Sequence, residues 1–305
     1  MSISFYVKNK KKFLGYETVL NVEEALTILN KELNSYNTRN IDINDLLLSP
    51  VSNYECLLIG EDKVSARGFE LSYDNKNKDY TVRIFTPSSR EDWLLALEYI
   101  KALAKKFGLE IINERGEVYT VDNIDKFDYK SDILYGIEVV SSNLKDKDVE
   151  VSSIYGINRI VSFNKEMLEK INNSDSPIDT FSNIVKEIQY LDVYSAHQQF
   201  YKNKIDGKII GAYTLTQNLR TILPYKPSVE FENSDIVKNK DISLWNIGLV
   251  TINGDENDPN SYQVAGNLNY DDFIKKLFVN KYKFIDASYI MVEPLSKEEI
   301  LNLLK

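Results

Sequence analysis

Residues 68–121 read GFELSYDNKNKDYTVRIFTPSSREDWLLALEYIKALAKKFGLEIINERGEVYTV and hold the most regular patterns in the chain. Apolar and polar side chains alternate over residues 68–73 and again over residues 80–86, on either side of the polar segment 74–79. A period of two residues is typical of a half-buried strand, and a short polar segment between two such runs indicates a turn. The first part of the stretch therefore predicts a β-hairpin.

A helix is expected directly after this hairpin. Ser89 precedes Glu91 and Asp92, which is typical of a helix start: the serine oxygen accepts a bond from a free backbone N–H, and the helix dipole favours acids in the first turn. Apolar residues then recur with helical spacing, and Gly108 supplies the left-handed conformation that commonly ends a helix. We predict a helix over residues 90–107, followed by a second hairpin from strands at 109–113 and 117–121.

Three other segments share this start signal. Asn21, Asn269 and Ser296 are each followed by two acidic residues in the first helical turn. Capping explains these acid pairs, so they are not interpreted as metal or acid–base sites. The predicted helices cover residues 22–33, 270–279 and 297–304, and Pro177 begins a further helix that runs to about Gln189.

Hairpins with interspersed helices favour an α+β fold with mainly antiparallel sheets. Further strands are expected at residues 191–202, 208–217, 242–252 and 282–292. A chain of 305 residues is longer than the roughly 250 to 300 residues at which one core stops growing. We expect two α+β domains, residues 1–145 and 146–305, divided within the weakly periodic segment 122–150, whose most polar part is 141–150.

A helix leads into two extended stretches in each predicted domain, LEIINERGEVYT at 109–120 and KYKFIDASYIMVE at 281–293. An internal duplication and shared capping chemistry both account for this likeness, and the sequence leaves the choice open.

Composition limits the partners of the chain. Its net charge is −9, with acidic and basic residues intermixed, which repels a nucleic-acid backbone. The basic cluster of Lys8, Lys10, Lys11 and Lys12 is interpreted as a solvated turn between strands rather than a phosphate site. The uncharged run 242–254 is far shorter than the roughly 18 apolar residues of a membrane span, and the N-terminal segment has the wrong charge order for a secretory signal. We expect a cytoplasmic protein with no nucleic-acid or membrane partner.

Several kinds of cofactor chemistry are not expected. No two of the 12 glycines are two positions apart, which excludes the Gly-rich dinucleotide loop and the Gly-x-Ser-x-Gly nucleophile elbow. One histidine and one cysteine cannot make the usual zinc pairs. The acidic segment 253–260 lacks the glycine and glutamate positions of an EF-hand, so a polar hairpin loop is preferred. We predict no cofactor and no metal.

Two residues remain as catalytic candidates, His197 and Cys56. His197 is expected on the polar face of the strand at 191–202, between Ser195 and Gln199, where a solvated imidazole is favoured over a catalytic base. Cys56 is expected to be a buried thiol in an apolar strand, and a nucleophile activated by His197 is the less favoured reading. As the only cysteine it forms no internal disulfide, which fits a reducing compartment.

Three segments of the chain carry a family resemblance: SREDWLLALEYIKALAKKFGLEIINERGEVYT at 89–120, YSAHQQFYK at 194–202 and KFIDASYIMVEPL at 283–295. Together they resemble a whole-chain family of uncharacterised proteins of about 300 residues from low-GC Gram-positive bacteria, described as a domain of unknown function. The shared motifs are packing and capping patterns, so the resemblance implies no catalytic residue.

Three functions are compatible with these observations. The first is a non-catalytic protein that binds another protein, with a basic partner favoured by the acidity of the chain; an immunity-like protein that covers a basic toxin or nuclease is one example. Its 20 tyrosines fit a contact surface, although tyrosine is also a common strand residue.

The second function is an enzyme that uses His197, Cys56 or carboxylates in a cleft between the domains, and the third is a small-ligand binding module. The sequence favours the first and does not determine the oligomeric state.

Overall fold

The computed structural model describes residues 1–38, 40–146 and 149–305. The chain divides into two compact units, Met1–Leu191 and Asp192–Lys305. Each unit has its own hydrophobic core. In the described part of the chain no helix combines the length and the apolar character that crossing a membrane requires.

The first unit is built on a seven-stranded sheet. Its strands are β1 (Ser2–Lys8), β2 (Leu33–Ser35), β3 (Leu57–Glu61), β4 (Phe69–Asp74), β5 (Asp79–Phe85), β6 (Ile111–Asn113) and β7 (Val118–Tyr119). They lie in the order β2-β3-β4-β5-β1-β6-β7, and neighbouring strands are antiparallel. β4 with β5 and β6 with β7 form the two hairpins that the alternating sequence predicts, so both are confirmed.

The helices of the first unit are α1 (Val22–Leu26), α2 (Ile43–Leu48), α3 (Arg90–Phe107), α4 (Tyr129–Asn143), α5 (Lys165–Asn172) and α6 (Pro177–Gln189). α3 has the predicted bounds. The Ser89 hydroxyl accepts a hydrogen bond from the backbone N–H of Asp92, and Gly108 ends the helix with a φ of 68°. Asn21 caps α1 in the same way. The predicted helix starts at these positions are confirmed.

α3 packs on the sheet and supplies much of the first core. Its Trp93 and Tyr99 are fully buried, and the ring centroid of Tyr99 lies 4.9 Å from that of Phe69 in β4. Phe107 stacks on Tyr80 of β5 with the ring centroids 5.0 Å apart. Large aromatic side chains bury the most apolar area per residue, so these contacts fix the helix to the sheet.

The first predicted helix is too long. The sequence predicts a helix over residues 22–33, whereas α1 ends at Leu26 and Leu33 begins β2. Leu33 is buried and pairs with Glu61 of β3. Strand pairing with β3 therefore determines the structure at Leu33, and helical spacing alone does not indicate it.

The segment 122–150, predicted as a polar connection, contains α4. Ile133, Gly136, Ile137 and Val140 are buried along one side of this helix. Their spacing of three, four and seven residues is that of a helical stripe facing a core. Lys147 and Asp148, in the most polar part of the predicted connection, lie outside the described residues.

The expected division between residues 145 and 146 lies inside the first compact unit. The hairpin of β8 (Ser152–Tyr155) and β9 (Ile160–Phe163), together with α5 and α6, follows this position. Phe163 and Phe181 from these elements are buried in the same core as α3. The Arg159 guanidinium donates to the carbonyls of Ile188, Gln189 and Leu191 at 3.0 Å. Packing and hydrogen bonds thus hold the chain to the first unit as far as Leu191.

The second unit contains two four-stranded sheets and two α-helices. Its elements are β10 (Tyr194–Ser195), β11 (Gln199–Lys202), β12 (Ile209–Thr216), β13 (Thr221–Pro224), β14 (Ile242–Ile252), β15 (Tyr262–Asn269), α7 (Tyr270–Lys276), β16 (Tyr282–Phe284), β17 (Tyr289–Val292) and α8 (Lys297–Leu303). The sheet orders are β10-β13-β17-β16 and β11-β12-β14-β15. The pairs β10–β13 and β12–β14 are parallel, and the others are antiparallel.

α7 and α8 contribute Phe273, Ile300 and Leu303 to the second core, where Tyr213 and Leu249 also lie. Asn269 and Ser296 cap these helices as predicted. The predicted strand at 282–292 is instead the hairpin of β16 and β17, because its two halves pair with each other.

The structure confirms an α+β fold with mainly antiparallel sheets. A helix followed by a hairpin occurs in both units, as α3-β6-β7 and as α7-β16-β17. The first helix has 18 residues and the second has 7, and the two hairpins lie in sheets of different strand order. Duplication therefore stays a prediction.

Candidate interaction surface

One side of the sheet formed by β11, β12, β14 and β15 faces the second core, and the other side is open. Tyr213 and Leu215 of β12 and Ile247 and Leu249 of β14 are buried on the core side. Side chains alternate across a strand, so the residues between them point the other way. We call this second side the open face; its residues are Gln199, Tyr201, Ile210, Ala212, Thr214, Thr216, Leu244, Asn246, Gly248, Val250, Ile252, Tyr262, Val264, Asn267 and Asn269.

None of these described residues is charged, although charged residues make up 27% of the chain. Each of them is exposed or half-buried, and Tyr201 and Val264 expose 56% and 66% of their surface. The solvated side of an antiparallel sheet is normally polar. A surface that lacks charge and presents tyrosine and aliphatic side chains has the composition found at the centre of protein interfaces.

The apolar side chains of the open face form two patches. At one end Ile210 pairs laterally with Tyr201 and with Leu244. At the other end Val250 pairs with Val264, next to the pair of Ile252 and Tyr262. Shorter side chains, among them Ala212, Thr214 and Gly248, lie between the patches. The open face thus offers two apolar anchor regions on one rigid sheet.

An acidic loop adjoins the second patch, because it connects β14 to β15. It carries Asp255, Glu256 and Asp258, which are absent from the ion pairs described in the second unit. Hydrogen bonds from the backbone and side chain of Asn257 hold the pKa of Asp255 below its usual value. β14 and β15 pair on either side of the loop, which confirms the predicted hairpin. Among the described residues no group of three or more His, Cys, Asp and Glu is placed to hold a metal ion.

A polar cluster lies on the core side of the sheet. Gln198 Nε2 donates to the Tyr213 hydroxyl at 2.6 Å and to the Ser228 carbonyl at 2.5 Å, and Gln198 Oε1 accepts from the Glu230 N–H at 3.0 Å. Burial, followed by the charge of Glu232, raises the pKa of Glu230. Burial also raises the pKa of Tyr213. These bonds fasten the connection between β13 and β14 to the sheet.

His197 lies beside this cluster, but not on a continuous strand as the sequence predicts. Residues 191–202 contain β10, which pairs with β13, and β11, which pairs with β12 in the other sheet. The chain has to cross between the two sheets, so residues 196–198 belong to no strand. His197 is exposed at this crossing, with its ring edge-on to that of Tyr194 at a centroid distance of 6.2 Å. A catalytic role for His197 stays a prediction.

Cys56 lies in the first unit and directly precedes β3, rather than lying within a strand as predicted. It is half-buried. Burial and the neighbouring carboxylates of Glu70 and Glu55 raise the pKa of Cys56 to about 11. The thiolate is the nucleophilic form of cysteine, so this environment disfavours attack at neutral pH.

Asp92, in the first turn of α3, organises a loop in addition to its helix. Its carboxylate accepts hydrogen bonds from the backbone N–H groups of Arg67 and Gly68 at 2.8 and 2.9 Å and from the Ser89 hydroxyl at 2.7 Å. Burial raises the pKa of Asp92, and these bonds act in the opposite direction. The buried Arg67 side chain donates to the Tyr155 carbonyl at 2.6 Å, and burial lowers its pKa to about 10. The pair is a structural centre of the first unit.

Asp132, at the start of α4, is a second buried carboxylate. The hydroxyl of Thr86 lies 3.0 and 3.1 Å from its two oxygens. Burial raises the pKa of Asp132 to about 6, against the smaller opposing effect of the Thr86 bond. Asp132 therefore changes protonation in a pH range where an ordinary aspartate is already ionised.

Sequence reasoning did not identify the open face, although part of its signal is visible. The run at 242–254 and the strand at 209–216 are free of charge. Two features decide which strand residues stay uncovered: the lateral register of the four strands, and the side of the sheet that α7 and α8 cover. A single strand carries neither kind of information.

Residues 2–303 match the model of a protein family with the description Domain of unknown function (DUF4299). This match confirms the whole-chain resemblance indicated by residues 89–120, 194–202 and 283–295. No curated protein and no solved structure matches the chain.

Proposed function

The chain belongs to the DUF4299 family, and we propose that it is a non-catalytic protein that binds another protein through the open face. One observation carries this proposal: four adjacent strands present an exposed surface without a charged side chain. Charged residues are depleted at the centre of protein interfaces, and large exposed apolar patches usually mark a contact site. Tyrosine and aliphatic side chains at both ends of the face supply the anchors that such a contact needs.

The proposed partner has an apolar surface with basic residues beside it. Asp255, Glu256 and Asp258 adjoin one apolar patch and carry no described ion pair, so they are free to face cations. Charges at the rim of an interface mainly increase the rate of association and select the partner. An immunity-like protein that covers a basic toxin or nuclease fits this description.

The core side of the sheet supports the proposal because it makes the open face rigid. Tyr213 and Trp245 stack with their ring centroids 5.7 Å apart, and Tyr213 also bonds Gln198. A binding surface that is ordered before contact loses less conformational entropy on association. A cytoplasmic location belongs to the proposal and rests on the single cysteine.

Co-purification from the natural host followed by titration tests the proposal. A tagged full-length chain is expected to retain a stoichiometric partner, and the purified pair is expected to bind in calorimetry. Val264→Glu places a charge on the open face, while Val279→Glu changes the same residue type at a site in the same unit that is 82% exposed. We expect affinity at least about tenfold weaker for V264E and unchanged affinity for V279E.

The absence of any stoichiometric partner, or a partner that binds V264E and V279E equally well, would refute the proposal. Self-association that V264E abolishes would replace the basic partner with a second copy of the chain. An enzyme using His197 or carboxylates, and a small-ligand module, stay predictions from the sequence.

A further inference from the structure

A short hairpin near one end of the first sheet carries two strongly exposed apolar side chains. Phe13 is 101% exposed and Leu14 is 86% exposed. The Glu17 N–H donates to the Lys10 carbonyl at 2.8 Å, and the Lys12 N–H donates to the Gly15 carbonyl at 3.0 Å. We call residues 10–17 the lysine hairpin, and Phe13 and Leu14 form its two-residue tip.

The base of the lysine hairpin is fixed to the sheet. Asn9 is buried, and its Nδ2 donates to the Glu17 carbonyl at 2.8 Å and to the Tyr73 hydroxyl at 3.2 Å. Its backbone N–H donates to the carbonyl of Lys78 in the adjoining β4–β5 turn at 2.8 Å. The exposed tip is therefore held at a defined place on the first unit.

Positive charge surrounds this tip. Lys8 pairs with Asp79 at 2.7 Å and Lys12 pairs with Glu17 at 2.6 Å. Asp74 in the adjoining turn uses its carboxylate to accept bonds from Lys76 N–H and Asn77 N–H of its own loop. Four further lysines of the hairpin and the adjoining turn appear in no described ion pair: Lys10, Lys11, Lys76 and Lys78. A basic end of the sheet in a chain of net charge −9 indicates an anionic partner for this surface.

We infer that the lysine hairpin docks onto an anionic lipid bilayer, with Phe13 and Leu14 entering the headgroup boundary and the lysines contacting lipid phosphates. Apolar residues flanked by lysines are the composition of segments that bind at the membrane interface. Each lysine near an anionic leaflet adds to this attraction.

The shape of the tip favours a bilayer over an acidic protein. Protein interfaces place apolar anchors in a packed centre surrounded by contacts that exclude water. Every residue from Lys10 to Tyr16 is exposed, so the tip is a protrusion without a surrounding patch. A fluid bilayer adapts to a protrusion, whereas a protein partner would need a preformed pocket.

This surface belongs to the first unit, whereas the open face belongs to the second. The expectation of no membrane partner rests on the missing apolar span and on the charge order of the N-terminal segment. The inference replaces the solvated turn that the sequence predicts for Lys8, Lys10, Lys11 and Lys12. Docking by a two-residue tip needs no such segment, and attachment by few apolar groups with basic support is weak and reversible.

Vesicle flotation of the full-length protein tests the inference. We expect the wild type to float with vesicles of equal parts phosphatidylglycerol and phosphatidylcholine at low salt, and not with phosphatidylcholine vesicles. Phe13→Ser with Leu14→Ser is expected to lower the partition coefficient by at least about tenfold, and Lys10→Glu with Lys11→Glu by a similar factor. Ile205→Ser is the matched control, because Ile205 is 96% exposed in the β11–β12 hairpin.

A second measurement locates the tip itself. Phe13→Trp is expected to shift its emission to shorter wavelength when anionic vesicles are added, while the wild-type signal from Trp93 and Trp245 stays constant. Three results would overturn the inference: no flotation with anionic vesicles, flotation that the tip variant and I205S share equally, or an unchanged F13W emission. Recovery of an acidic protein on the tip, without vesicle binding, would assign this surface to a protein instead.

Discussion

Asp92 and Asp132 are buried carboxylates of the first unit with different partners. Asp92 is bonded by backbone N–H groups and by Ser89, and the charge of Arg67 lies close to it. Asp132 accepts from the Thr86 hydroxyl, and the charge of Arg115 favours its ionised form while that of Glu114 opposes it. Ionised Asp92 is thus stabilised by fixed dipoles, while ionised Asp132 is less well compensated.

Asp92→Ala is expected to destabilise the first unit by about 3 to 5 kcal/mol, because it leaves backbone N–H groups without acceptors and Arg67 without its counter-charge. Urea unfolding followed by circular dichroism measures this. Glu98→Ala on the same helix removes only an exposed ion pair with Lys31, and should cost under about 1 kcal/mol. Equal losses for the two variants would show that Asp92 does not organise the loop.

Asp132 predicts a pH dependence of stability. Its pKa is about 6 in the folded protein, against 3.8 for an ordinary aspartate, so the folded state binds more protons between these values. Stability then falls as pH rises through this window, by at most about 1.4 kcal/mol per pH unit from this group. Asp132→Asn removes this contribution. We expect the difference in unfolding free energy, variant minus wild type, to increase from pH 4 to pH 7.

Denaturant unfolding at several pH values checks this sign, because other carboxylates titrate in both proteins and cancel in the difference. Asp128→Asn is the control, since hydrogen bonds from Ser131 lower the pKa of this exposed aspartate. Its difference from the wild type should stay nearly constant between pH 4 and pH 7, because a carboxylate with a lowered pKa changes its contribution mostly below pH 4. A difference for Asp132→Asn that is independent of pH would contradict the assignment.

In α4, close packing against a neighbouring turn outweighs the low helix propensity of glycine. Gly136 lies in the middle of this helix, and a Cβ atom there would meet the backbone N and Cα of Pro87 at 2.5 and 2.6 Å. Glycine weakens an isolated helix, but here it permits the close approach of helix and turn. The packing against Pro87 therefore requires glycine at position 136 in spite of its low helix propensity.

Gly136→Ala is expected to destabilise the protein by about 1 to 3 kcal/mol, through overpacking against Pro87. In a helix without this contact the same change would stabilise by about 1 kcal/mol. Ser142→Ala, at an exposed position of α4, serves as the control and should be neutral or slightly stabilising. Thermal unfolding of both variants measures the effect, and a stabilised G136A would contradict the packing argument.

At the scale of the whole molecule, the two cores are assembled from separate parts of the chain. The first includes residues up to Ile188, and the second begins with Tyr213. The chain crosses from one compact unit to the other after Leu191. Independent folding of the second unit should then depend on where it is cut.

A fragment of residues 192–305 is expected to fold and remain monodisperse, because its buried residues form a core of their own. A fragment of residues 146–305 would also carry β9, α5 and α6, whose Phe163 and Phe181 pack in the first core. We expect it to aggregate through this exposed apolar surface. Size-exclusion chromatography and amide NMR dispersion compare the two fragments. A monodisperse 146–305 fragment beside an unfolded 192–305 fragment would favour the division at residue 145.

Helix caps and hairpins were predictable because their signals are local. The bond from Ser89 to Asp92 and the turn of Gly108 each involve residues a few positions apart. α4 is not predicted although Ile133, Ile137 and Val140 have helical spacing, because the exposed Leu134 and Tyr135 add apolar residues outside the buried stripe and blur its period. The strand at 191–202 was predicted as continuous, because no local signal shows that its two ends pair in different sheets.

The sequence by itself determined the fold class, the starts of the capped helices, both hairpins around α3 and the whole-chain family. Each depends on periodicity, capping or turn chemistry within a short segment. Only the tertiary structure decided the extent of the two units, the open face and the projecting tip of Phe13 and Leu14. These depend on strand register and on which surfaces other elements cover. Register and coverage join residues far apart in the chain, so an isolated pattern of residues does not contain them.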